Sequence, residues 1–201
     1  MIISKRFKLL FVHIPRTGGT SIKRQLYKLD PFLKIQEKRL KLSPHQPMTN
    51  ELNMQYEDYF KFSIIRNPWH SCLSAYSMWE FNKREVSYKD WLLQQFEERR
   101  FFPFPEQMPF IFDKTGKCLV DQIIKFNKEN IGIPVDEILN KYTDNTFCLS
   151  DTLLQYHAYA TIFKNLEDYY TDSGDEAELV YKLCEQDIKH FNWKFPENEN
   201  E

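Results

Sequence analysis

Two short segments of the 201-residue chain gather residue types that hold anions. Arg16-Thr17-Gly18-Gly19-Thr20-Ser21 follows the apolar run Leu9 to Ile14 and precedes a helix-forming stretch, Ser21 to Leu29. The chain has only five glycines, and two of them are adjacent here. A Gly-rich turn between a strand and a helix can wrap its backbone N–H groups around a phosphate, and the positive end of the helix adds to the attraction. Arg16 supplies a fixed positive charge, while Thr20 and Ser21 supply hydroxyl donors. A bare Gly-Gly serves equally as a tight turn with a helix cap, so the loop alone leaves both readings open. Its form argues against one chemistry. An ATP or GTP loop reads GxxxxGK[ST], with the Lys serving the β- and γ-phosphates. Here the loop is shorter, and Thr20 stands where that Lys would follow the last glycine. The spacing suits one phosphate carrying a small group.

The second segment is Phe62-Ser63-Ile64-Ile65-Arg66-Asn67-Pro68. Its apolar run reads as a buried strand, and Arg66 falls at the C-terminal end, the edge where open α/β sheets bind ligands. Ser74 follows about two helical turns into the next helix. A guanidinium grips a phosphate through a bidentate fork, and a hydroxyl can complete the cage. An Arg-Asn-Pro alone would more often be a helix entry with a surface salt bridge. Beside a separate phosphate loop it becomes a second anion site.

The elements that must position these groups follow from apolar patterning. Leu9–Ile14, Phe62–Ile65 and Leu119–Ile124 read as strands. Ser21–Leu29, Trp69–Asn82, Tyr88–Arg100, Val135–Lys141 and Ala177–Phe191 read as helices. Residues 31–60 look polar and irregular, and Asp113-Lys114-Thr115-Gly116 forms a turn. Strands alternating with helices predict an α/β layer fold with a mainly parallel central sheet, in one domain over 1–201. With 42% hydrophobic and 28% charged residues, neither a disordered tail nor a fibrous repeat is compatible. The first fifty residues hold eleven Lys/Arg against two acids, a net of +9, while the remainder carries −11. That asymmetry suits an anion-facing segment or, equally, solvated helix faces. Cys72, Cys118, Cys148 and Cys184 are widely spaced and form no CxxC pair, so reduced thiols are expected, with no metal site. No stretch approaches the ~20 apolar residues of a membrane span. A cytoplasmic protein is the expectation.

Two motifs together resemble one family. Phe11-Val12-His13-Ile14-Pro15-Arg16-Thr17-Gly18-Gly19-Thr20-Ser21 is similar to the 5′-phosphosulfate loop of PAPS-dependent sulfotransferases, written HIPKTGGTS. Phe62 to Trp69, continuing through Ser74-Ala75-Tyr76, resembles their 3′-phosphate motif, RNPxxxxxSxY. The resemblance points to the carbohydrate-type branch, in its small soluble form. Asp113 to Phe126 is similar to that branch's DxxGxxxVDxIxRFE segment, and Asp187 to Phe195 to its DxxxFGYxF tail, whereas residues 143–168 fit poorly.

The resemblance implies a P-loop-like three-layer fold and transfer of a sulfuryl group from PAPS to a hydroxyl acceptor, releasing PAP. The acceptor would be a saccharide, either a hydroxylated small molecule or an oligosaccharide, and nucleic acid is not an expected partner. Arg16, Thr17, Gly18, Gly19, Thr20 and Ser21 would hold the 5′-phosphosulfate, and Arg66 with Ser74 the 3′-phosphate. His45 matches the single histidine preceding the RNP motif and would act as the base, since neutral imidazole can take a hydroxyl proton near pH 7. Three departures stand out. Arg16 replaces the loop Lys; it can stabilise charge on the leaving oxygen but, always protonated, cannot donate a proton. His70 occupies a position that is usually acidic, and Asn127 replaces the RFE glutamate. A non-catalytic PAP- or polyanion-binding module and a P-loop small-molecule kinase are the alternatives.

Overall fold

The computed structural model describes residues 1–40, 43–83, 86–98, 106–126, 132–143, 166–171 and 174–196; within these, the side chains of 36–38, 79–83 and 98 are not described. The aromatic run 101–104, Asn127 and Cys148 lie outside that set. Two compact units divide the chain, Met1–Ile65 with Met108–Tyr156, and Arg66–Gln107 with His157–Glu201.

The first unit is built on a four-stranded sheet, β1 (Ile2–Ser4), β2 (Leu9–Val12), β3 (Phe60–Ile65) and β4 (Gln122–Lys125), in that spatial order. β1 runs antiparallel to β2, while β2–β3 and β3–β4 are parallel, so the sheet is mainly parallel as expected. Register places Phe11 beside Phe62 and Ile64 beside Ile124. Side chains of both parities are buried along β2, which is why it reads as a continuous apolar run rather than an alternating one. Helix α1 (Gly19–Leu29) buries Ile22, Gln25, Leu26 and Leu29, the i, i+3, i+4, i+7 stripe of an amphipathic helix. That stripe packs into one core with Phe11, Phe62, Ile64, Ile124 and the buried face of the later helix Gly132–Tyr142. Asp30 ends α1: its N–H donates to the Leu26 carbonyl at 2.9 Å, and its carboxylate accepts from the Ser4 hydroxyl at 2.7 Å.

The irregular reading of 31–60 is corrected by two helices, α2 (Leu33–Leu40) and α3 (Asn50–Gln55). Leu33 is the only buried residue among those described on α2, and α3 buries none, so no apolar period marks them. Thr49 caps α3, its side-chain oxygen accepting from the Leu52 N–H at 3.2 Å. The strand expected over 119–124 begins later, at Gln122. Before it, the Leu119 N–H donates to the Ile111 carbonyl at 2.8 Å, and the Asp121 carboxylate takes the Lys61 N–H at 2.7 Å in place of a main-chain acceptor. The Asp113 turn is present: Asp113 Oδ1 accepts from the N–H groups of Thr115 and Lys117 at 2.9 and 3.0 Å.

The second unit holds α4 (Pro68–Lys83) and α5 (Tyr88–Glu98), then, beyond the first unit's α6 (Met108–Ile111) and α7 (Gly132–Tyr142), α8 (Asp175–Leu183) and α9 (Glu185–Phe191). Its core is aromatic, with Trp69, Tyr76, Tyr88, Trp91 and Tyr170 among its buried members. The polar ends of Trp69, Tyr76, Tyr88 and Tyr170 are used. Tyr170 donates to the Trp69 carbonyl at 2.7 Å, Trp69 Nε1 to the Ala177 carbonyl at 3.1 Å and Tyr76 to the Val86 carbonyl at 2.6 Å. The Tyr88 and Tyr170 hydroxyls lie 2.8 Å apart. The single helix expected over 177–191 is two, broken at Cys184, whose φ of −122° leaves the helical region. Burial at 180, 183, 184, 187, 188 and 191 keeps helical spacing across the break, so the pattern carries no mark of it.

Candidate functional site

In the loop joining β2 to α1, main-chain geometry sets the groups in place. Arg16 has φ +66°, a left-handed conformation that costs a non-glycine residue about 1–2 kcal/mol. Gly18 has φ +84° and forms the N-cap of α1. A Cβ there would lie 2.8 Å from the Phe126 ring, and a Cβ on Gly19 would overlap the His13 ring. Neither position admits another residue without displacing its neighbour. Thr17 is wholly buried, and its hydroxyl donates to the Ile14 carbonyl at 3.0 Å, so that hydroxyl braces the loop. Thr20 is exposed and Ser21 half-buried at the mouth of α1, with the Ser21 N–H on the Gly18 carbonyl at 3.1 Å.

His45 arrives from the segment before α3. Its Nδ1 lies 3.1 Å from the His13 carbonyl, and the two rings are 4.4 Å apart between centroids. A carbonyl only accepts, so Nδ1 carries the proton and Nε2 presents a lone pair. Burial lowers the His45 pKa; the His13 contact opposes this, while the amino-terminal ammonium, Lys23 and Arg16 lower it further. The imidazole is therefore neutral at pH 7. His13, buried beneath, is held at about 3, first by burial and then by the charges of His45, the amino terminus and Lys23. The structure thus brings Arg16, His45 and the Gly18-Gly19 turn together, along with two groups to which the sequence reading gave no role, His13 and Lys23. His13 lies inside the quoted loop motif. Lys23 is one turn beyond Gly19 and carried no distinguishing signal.

In the second unit, Arg66 stands just before α4. Most of the first turns of that helix are buried, including Trp69, Ser71, Cys72, Leu73, Ala75 and Tyr76, whereas His70, Ser74 and Met78 form a half-buried stripe at i, i+4, i+8. His70 is lowered to about 4, first by burial and then by the Arg66 charge, so its imidazole is neutral at pH 7. Ser74 follows one turn on. Two hydrogen bonds hold the Arg66 main chain: its N–H donates to Gln107 Oε1 and its carbonyl accepts from Gln107 Nε2, each at 2.7 Å. Neither Gln107 nor His70 was assigned a role from the sequence.

The family model for the sulfotransferase family matches residues 1–194. The chain belongs to the sulfotransferase family. It is also similar to mouse (Mus musculus) carbohydrate sulfotransferase 14, with 28% identity over 83 residues. That match covers 38% of this chain and 22% of the relative, so the chain aligns with well under two thirds of the relative's length. No solved structure gives a significant match. Among the described residues, no helix of this sulfotransferase-family chain is long and apolar enough to cross a membrane.

Proposed function

We propose that the protein transfers a sulfuryl group from PAPS to a hydroxyl on a saccharide, releasing PAP, and that 1–201 forms one sulfotransferase domain. The observation that carries this reading is the bond from His45 Nδ1 to the His13 carbonyl, which leaves Nε2 unprotonated on an imidazole near enough to Arg16 for that charge to lower its pKa. An acceptor hydroxyl must lose its proton as the new S–O bond forms, and an imidazole of fixed tautomer is suited to take it. The glycine turn fits a phosphate: a side chain at Gly18 or Gly19 would displace Phe126 or His13, and the N-terminus of an eleven-residue helix opens there. PAPS, when bound, supplies the sulfuryl group and a nucleotide leaving group. Arg16 stabilises negative charge on the leaving oxygen, Thr17 to Ser21 hold the 5′ end (Thr17 through its main chain, since its hydroxyl is spent on Ile14), and Arg66 with Ser74 hold the 3′-phosphate. A cytoplasmic location is part of the same reading and is in keeping with Cys72, Cys118 and Cys184 standing as thiols rather than disulfides.

A thermal-shift comparison of PAP with ATP–Mg and GTP–Mg tests the donor. Stabilisation by PAP alone is the expected result, and stabilisation by ATP–Mg instead would make the protein a kinase. Labelled PAPS offered with a panel of saccharides then tests transfer. PAP binding without turnover on any acceptor would leave a binding module.

A further inference from the structure

Arg66 sits where β3 has ended and α4 has not begun, so neither the sheet ladder nor the helix fixes its main chain. Gln107 fills that gap. Its primary amide presents a carbonyl and an N–H side by side, and the two close on the Arg66 N–H and carbonyl at 2.7 Å each. One side chain thereby acts as a neighbouring strand would for a single residue, fixing φ and ψ and with them the direction of the Cα–Cβ bond. Gln107 is itself held, its N–H donating to Asp187 Oδ2 at 2.6 Å. Gln107 is 1% exposed and Asp187, in the first turn of α9, is 0% exposed. A bond to a buried carboxylate is stronger than one between neutral groups.

We propose that Gln107, anchored by Asp187, is the positioning residue that aims the Arg66 guanidinium at its anion. The inference rests on the reading of Arg66 as the phosphate-gripping arginine. It assigns the aim of that grip to residues far away in sequence. Gln107 touches no reacting atom in this scheme and acts through Arg66.

The test is Gln107→Met, which keeps the length of the side chain and removes both amide contacts. PAP affinity, measured by calorimetry well below the melting point, should fall about ten-fold, close to the loss of one charge-assisted hydrogen bond. The KM for PAPS should rise by a similar factor with kcat within about two-fold, as for a group used in ground and transition state alike. In an Arg66→Ala background the same substitution should change PAP affinity by less than about two-fold, because the effect passes through the guanidinium. A purely structural glutamine would lower the melting temperature and leave PAP affinity unchanged, or weaken it equally in both backgrounds; either result overturns the proposal. A readout independent of PAP separates this claim from the functional reading. The NMR order parameter of the Arg66 Nε–H, measured without nucleotide, should drop in Gln107→Met relative to the unaltered chain. If the unaltered chain fails to bind PAP, the functional reading fails, and an unchanged order parameter sinks the positioning claim by itself. Should Gln107→Met not fold, Asp187→Asn, one bond further back, should give the same pattern at smaller amplitude.

Discussion

In the loop between β2 and α1, the groups proposed to meet an anion are held by main-chain conformation. Left-handed residues at 16 and 18, a glycine pressed on the His13 ring and a Thr17 hydroxyl turned inward leave the turn little choice of shape. At Arg66 the same task falls to side chains, with an amide bracketing the main chain and a buried carboxylate behind the amide. A site made of backbone is compact in sequence, because neighbouring residues build it. A site made of side chains draws on positions 41 and 121 residues away, and no local pattern announces them. The first kind should resist loss of any one hydroxyl yet fail when a glycine gains a methyl group. The second should weaken in steps as each supporting bond is removed.

The largest expected effect divides the two regions by kinetic role. His45→Ala should lower kcat by about a hundred- to ten-thousand-fold, the range for loss of a general base, while PAP affinity stays within about two-fold. Initial rates with labelled PAPS and calorimetry with PAP check the two halves. Arg66→Ala should do the reverse, weakening PAP by about ten- to a hundred-fold through loss of charge-assisted bonds. If both variants moved rate and affinity alike, the division would break. Gly19→Ala comes next. The added methyl group meets the His13 ring, and overpacking of this kind costs about 1–3 kcal/mol, to be read from thermal melts. PAP binding should fall with it, whereas Thr17→Val should cost stability with little change in PAP affinity.

Acid sharpens the contrast further. An unfolded imidazole takes its proton near 6.5, whereas His70 resists to about 4 and His13 to about 3. Between those values the unfolded chain binds more protons, so stability is full above 6.5 and falls as pH is lowered. Imidazole titration by NMR should find His70, on the arginine side, protonated before His13, beneath the loop. The smallest effect concerns Lys23. Its charge helps hold the His45 pKa down, so Lys23→Met should move the acid limb of kcat/KM toward higher pH.

The loop, its flanking strand and α1 were legible because a fully buried strand, paired glycines and an amphipathic stripe each leave a local trace. α4 was legible for the same reason. β1 was not, since three residues, Ile2 to Ser4, are too few to show a period. α2 and α3 bury too little to be recognised, and the break at Cys184 hides inside an unbroken apolar rhythm. Of the candidate site, Arg16 and His45 were singled out through the family motif, and the structure adds why the His45 imidazole is neutral and which nitrogen carries its proton. Lys23, Gln107 and Asp187 act through space, and Gln107 follows a run of aromatic and proline residues that draws attention away from it.

The tyrosine pair in the second unit has a direction. Tyr170 gives its single proton to the Trp69 carbonyl, so at the 2.8 Å contact it can only receive, and Tyr88 must be the giver. Deleting the two hydroxyls is therefore unequal: Tyr88→Phe severs one link, whereas Tyr170→Phe severs two and strands both a proton and a carbonyl in an apolar interior. The chain of three groups runs one way, toward the helix that begins beside Arg66.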